Sequence, residues 1–292
     1  MNHVCRALAA ALFLATFVYS QSQQALPPEK VAAVYGQNIH YFEGGQGPVV
    51  ILLHGLGAVK EVWLGNFAPL AAKYHVYAID QIGFGKSDKP LLDYRVATFS
   101  DFLYGFMKAQ NLTKATFVGN SLGGWIALEF ATTHAEMVDK LVLVDSAGLP
   151  WQTSGPAINL NPATLAATRT MLEALFYNKK IVSDDFVQQV FVDRARNNDG
   201  YTIERTTSGF SAENQFEDKK LASIHAPTLV VWGHDDELFL QRVGKSCMRE
   251  SPDQSWSCSI NADTCQKSKR PRISTKPCSI SWETSGLNQS CD

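Results

Sequence analysis

The sequence predicts an α/β fold: a mostly parallel, doubly wound sheet covered by helices, with a helical segment inserted late in the chain. Three observations predict it. Short continuous apolar runs recur, as strands buried on both faces require. Helix-length segments separate them, giving the βαβ rhythm of a parallel sheet. The rhythm breaks between Pro150 and about Asp218, where helix-like pieces occur without a buried strand.

Taken in order, the chain opens with Arg6 and an apolar run from Ala7 to Val18, followed by the small-residue stretch Val18-Tyr19-Ser20. This reads as a signal peptide over residues 1–20, and the run is too short to favour a membrane span. The expected mature protein is secreted or periplasmic, membrane anchoring being the less favoured reading. From about residue 31 strands and helices alternate. The buried strands are Val49–Leu53, Val76–Ile79, Ala115–Val118, Leu141–Val144 and Thr228–Val231. Helices are expected near Asn66–Tyr74, Phe99–Gln110 and Leu122–Thr132.

The core is thus expected in two parts, residues 21–150 and 219–240, interrupted by a helical cap over 151–218. Ala163–Tyr177 and Asp184–Arg196 are the cap's helix-like pieces, and Trp151, Phe176, Tyr177, Phe186 and Phe191 either line an apolar cavity or simply pack. Residues 241–292 differ in character: serine supplies 11 of these 52 residues, and no period of 2 or 3.6 survives. Such a segment is expected to be disordered, leaving the last strand and helix of the sheet missing.

With 292 residues, 45% of them hydrophobic, the chain can bury a large core. A net charge of −2 offers no basic field for nucleic acid. Cys5 lies in the signal segment, and Cys247, Cys258, Cys265, Cys278 and Cys291 lie in the tail. Five is odd, so the tail holds no complete disulfide framework.

Gly119-Asn120-Ser121-Leu122-Gly123 matches G-x-S-x-G, directly after a strand and before a helix. Small residues at Gly119 and Gly123 permit a tight turn that lifts Ser121 to a helix N-terminus, where developing negative charge is stabilised. The competing reading is an ordinary glycine-rich turn. His54-Gly55-Leu56-Gly57 follows the first buried strand. Its backbone is the candidate for an oxyanion donor at the Leu56 N–H, joined by the Leu122 N–H, with the His54 ring and Gly55 fixing the loop. Asp80-Gln81-Ile82-Gly83-Phe84-Gly85-Lys86-Ser87 reads as a structural turn without a metal or phosphate role. Trp232-Gly233-His234-Asp235-Asp236 follows the last buried strand, and a carboxylate there would orient a catalytic histidine. Asp236 is the choice, Asp235 the alternate, and Asp145 after the preceding strand a further candidate.

These motifs, in this order and spacing, resemble the α/β-hydrolase family over about residues 30 to 239. The resemblance implies attack by Ser121 on a carbonyl, an acyl-enzyme and its release by water, with no cofactor or metal and a small molecule as substrate. It leads to a small carboxylic ester or related acyl compound. The family also includes C–C bond hydrolases with a Gly-Asn-Ser elbow. A hydrolase-like protein that binds a ligand without turnover is the alternative of another class. The oligomeric state is not legible.

The family places its triad histidine in a Gly-His loop downstream of the acid. Here the histidines are His3, His40, His54, His75, His134, His225 and His234, and none follows Asp236. Reading each codon's third base with the first two bases of the next suggests why. Ala262–Asp263 then permits glycine, Asp263–Thr264 gives histidine or tyrosine, and Cys265–Gln266 permits proline. Ser255 to Ser259 recode as four successive apolar residues, and Ile273 to Glu283 as an amphipathic helix. The C-terminus therefore looks frameshifted after about residue 239.

Overall fold

In the computed structural model the described residues are 26–149, 158–176, 178–210, 218–231 and 256–259. The five apolar runs form strands. β1 (Glu29–Val34) and β2 (Gln37–Gly44) make a hairpin, followed by β3 (Val49–Leu53), β4 (His75–Ile79), β5 (Ala115–Asn120), β6 (Val138–Val144), β7 (Thr228–Val231) and β8 (Trp256–Ser259). They join in one sheet of order β1-β2-β4-β3-β5-β6-β7-β8. β1, β2 and β4 pair antiparallel, and every pair from β4 through β8 is parallel.

Side chains alternate across the sheet, so each strand feeds two layers. Ile51 and Leu53 join Phe117, Leu141 and Leu143 beneath α2 (Val96–Ala109) and α3 (Leu122–Thr133). Val50 and Leu52 face the other way, onto Phe42, Val76, Ala78, Trp63 and Phe67 of α1 (Leu64–Ala71). α3 buries most of its circumference, including Leu122, Trp125, Ile126 and Phe130. Both-face burial explains why these strands read as unbroken apolar runs.

The inserted segment contains α4 (Leu165–Leu175), α5 (Asp184–Asn197) and α6 (Gly200–Ser208), and α7 (Asp218–Ala222) leads into β7. Thr164 caps α4 by accepting from the Ala167 N–H, and Ser183 caps α5 by accepting from the Phe186 N–H. α4 and α5 share a small cluster of Met171, Leu172, Val182 and Val187. Phe176 and Phe186 meet edge to face at 5.8 Å beside it, so these two aromatics pack within the insertion. Trp151 and Tyr177 lie outside the described residues. α6 is fastened to the core instead: Ile203 is fully buried in the main cluster, and Arg205 pairs with Asp93 at 3.0 Å.

Two features depart from the sequence expectation. The β1–β2 hairpin was not foreseen. β8 also extends the sheet parallel to β7, with Thr228 opposite Trp256, where a disordered tail and a missing last strand were expected. Strand pairing at a sheet edge is made by main-chain groups, so a short segment without apolar pattern can still add a strand. The rest of the tail and residues 1–25 lie outside the described residues. Among the described residues no helix is long and apolar enough to cross a membrane.

Candidate active site

The parallel strands end along one edge of the sheet, and the candidate residues gather there. β5 runs into α3 through Ser121, whose φ of 50° and ψ of −115° lie in a region that non-glycine residues rarely occupy. The turn is clasped from several sides. The Ser121 N–H donates to the Val144 carbonyl at 3.0 Å, and the Ala147 N–H donates to the Ser121 carbonyl at 3.0 Å. Asn120 Nδ2 donates to the same Val144 carbonyl at 3.1 Å. Ser121 is half-buried at the N-terminus of a 12-residue helix, whose dipole favours negative charge at that end.

The glycines of the elbow are required by close backbone approach. A Cβ on Gly119 would come within 2.3 Å of the Gly123 carbonyl oxygen, and one on Gly123 within 2.2 Å of the Leu53 oxygen. The end of β3 therefore interlocks with the elbow. At Gly55 an added Cβ would stand 3.3 Å from Ser121 Cβ, so the His54–Gly57 loop lies directly against the serine.

His54 is fully buried and its ring is committed. Nδ1 lies 2.8 Å from the Gly55 carbonyl oxygen, and Nε2 accepts the Gln81 N–H at 3.2 Å. Nδ1 is consequently the protonated nitrogen. Burial pushes the imidazole below its ordinary pKa, against the opposing pull of Asp80. Beyond the loop, the Asp80 turn takes an unforeseen partner. Lys60 and Asp80 side chains are both fully buried, with Nζ to Oδ2 at 2.8 Å, and the Lys60 N–H donates to Oδ1 at 2.7 Å. Gly85, at φ +54°, passes so close to the Asp80 carboxylate that a Cβ would clash with it.

Asp145 follows β6, one strand over from Ser121, and is another non-glycine residue with positive φ, 42°. Its N–H donates to the Val231 carbonyl at 2.9 Å. Asp236, Asp235 and His234 lie outside the described residues. Among the described histidines none is placed to serve Ser121 as base. His75 begins β4 and His225 precedes β7, at the opposite edge of the sheet. His134 stacks on Tyr104 beyond the far end of α3, roughly 18 Å of helix away. His40, on β2, contacts Glu29 and lies three strand spacings from β5, about 14 Å.

The arrangement thus brings together Ser121, Leu122, Gly119, Gly123, His54, Gly55 and Leu56. Lys60 and Gln81 were missed by sequence reasoning, and no local pattern marks either: each acts on residues 20 or more positions away.

A family model described as the alpha/beta hydrolase fold matches residues 48–257. A 2-hydroxy-6-oxo-6-(2'-aminophenyl)hexa-2,4-dienoic acid hydrolase of Metapseudomonas resinovorans is 32% identical over 238 residues, covering 75% of this chain and 78% of that protein. Proteins of Mycobacterium tuberculosis are 36% identical over 125 residues, 43% of this chain, which spans only 37% of their length. Among solved structures, a membrane phospholipase A is 27% identical with a TM-score of 0.66, covering 87% of both chains.

Proposed function

Since the chain belongs to the α/β-hydrolase family, we propose that its site is built for serine-dependent hydrolysis of a small carboxylic ester or related acyl substrate. The strained Ser121 at the β5–α3 turn, facing the Gly55 loop, carries this reading. Ser121 attacks the carbonyl, and the Leu56 and Leu122 N–H groups receive the developing oxyanion. Asp236 orients the base, with Asp235 and Asp145 as the other carboxylates in reach of that role. Residues 151–218 form the cap over the pocket, and residues 1–20 direct export. A C–C bond hydrolase is the second reading, favoured by the 32% identical dienoic acid hydrolase.

The triad histidine is encoded out of frame, so this chain is an impaired hydrolase. Without a base, serine is a weak nucleophile near neutral pH. β8 coincides with the stretch that the shifted frame turns into four apolar residues, which supports this view.

A fluorophosphonate tests the nucleophile. Slow phosphonylation at Ser121, located by peptide mass spectrometry and lost in Ser121→Ala, is the expected result. Undiminished labelling in Ser121→Ala overturns it. After the frame is restored, a p-nitrophenyl ester and a 2-hydroxy-6-oxodienoate assayed side by side separate the two readings.

A further inference from the structure

We propose that Gln81 is a positioning residue for the oxyanion loop, gripping His54 at both its ring and its carbonyl so that the Gly55–Leu56 peptide is held toward Ser121. The proposal rests on the reading of Ser121 as nucleophile.

Gln81 follows the end of β4 and is 6% exposed. Its main-chain N–H donates to His54 Nε2 at 3.2 Å, and its side-chain amide donates to the His54 carbonyl at 2.7 Å. The first bond makes Nε2 an acceptor and leaves the proton on Nδ1. That proton goes to the Gly55 carbonyl, 2.8 Å away. The Gly55 carbonyl and the Leu56 N–H belong to one planar trans peptide and point in opposite directions. Fixing the carbonyl against the His54 ring therefore fixes the direction of the Leu56 N–H. The second bond holds the preceding peptide, so the loop cannot turn about its own entry.

The shorter contact of Gln81 Nε2, 2.7 Å to the His54 carbonyl, sets the amide orientation over the 3.3 Å approach of the same nitrogen to His54 Nδ1. With Nε2 of Gln81 on the His54 carbonyl, Gln81 Oε1 is buried without a protein hydrogen-bond partner. Gln81 also lines a small apolar cavity with Ile39, Leu53, Phe102 and Phe106. A flipped amide would set oxygen against oxygen at His54. An apolar residue would suit these walls better, so packing alone does not call for glutamine here. A local rule broken in the core beside a candidate site points to a role in that site.

Gln81→Leu exchanges one unpartnered acceptor for another and adds apolar contact, so its melting midpoint should stay within a few degrees of the parent. Phosphonylation of Ser121 by a fluorophosphonate should nonetheless slow by about tenfold or more, the scale of a misdirected oxyanion donor. An unchanged labelling rate overturns the proposal. If the variant fails to fold, the histidine 15N spectrum of the parent decides. His54 must appear as the neutral Nδ1–H tautomer at about pH 8, and an Nε2–H tautomer overturns the grip. If Ser121 is not labelled in the parent, the nucleophile reading fails separately, and the spectrum still decides whether Gln81 holds His54 as stated.

Discussion

Gly123 packs against Leu53 so closely that a methyl group on it would lie 2.2 Å from the Leu53 carbonyl oxygen and 2.8 Å from that of His54. The Ser121 turn and the candidate oxyanion loop are therefore two halves of one contact. Gly123→Ala should force them apart. We expect it to destabilise the fold by about 1–3 kcal/mol in urea denaturation, as overpacking of a tight core does. It should also abolish fluorophosphonate labelling where folding persists.

Lys60 and Asp80 form an ion pair with both side chains inaccessible to solvent. Removing the cation leaves a buried carboxylate with only main-chain donors. Lys60→Met should cost about 3–5 kcal/mol in chemical denaturation. A loss no larger than that of a surface substitution would show that the pair contributes little.

Glu29 gives this network an acid limit. Burial raises its carboxyl, but hydrogen bonds from Lys86 and Lys60 outweigh that and lower it from 4.5 to about 2. A depressed folded pKa stabilises above the unfolded value and is lost as pH falls through the folded one. Stability of the parent should decline from about pH 5 toward about pH 2. Glu29→Gln should start lower at neutral pH and converge with the parent at the acid end, as followed by thermal melts across that range.

Asp199 behaves in the opposite sense. Burial raises its carboxyl, with Arg194 and Lys89 offsetting only part, and Oδ2 has no protein hydrogen-bond partner. A raised folded pKa means that the protonated form favours folding. The contribution is present below the ordinary value of 3.8 and lost as pH rises through the folded one. Asp199→Asn should melt higher than the parent at pH 7, with the gap closing as the pH approaches 3.8. Equal midpoints at neutral pH would contradict this.

The gene sequence tests the frame. If the third base of the Asp263 codon is C, the shifted codon encodes histidine, and one base added back near codon 239 should restore esterase activity. A T at that position encodes tyrosine and ends the idea. A restored protein without activity would count against the hydrolase reading.

The parallel strands were legible because burial on both faces forces runs such as Val49–Leu53 to be apolar throughout. The first hairpin was not, because β1 buries only Ala32 and Val34 of its six residues and presents Glu29 and Lys30 to the surface. The first helix was placed late because a 3-10 turn over Lys60–Trp63 precedes it, and Pro69 sits inside it. In the site, Ser121 and its glycines were readable since a tight turn is a local demand. Gln81 and Lys60 were hidden because their roles exist only once β3 and β4 lie side by side, bringing together residues 27 and 20 positions apart.

The inserted helices are attached unequally. α4 and α5 meet in their own cluster around Met171 and Val187, while α6 is stitched to the core through Ile203 and Arg205. This divides the chain into parts that inherit change differently. Substitutions around Met171 and Val187 are absorbed within the insertion, whereas Arg194 of α5 reaches the core, where a Cβ on Gly57 would stand 3.9 Å from its Cζ. α6 has no such licence: Thr202 abuts Gly83, in the turn that Asp80 holds, so drift there is transmitted to the turn beside the His54 loop. Exchange of the α4–α5 segment between relatives should therefore cut before α6, at the left-handed Asn198 that separates α5 from α6.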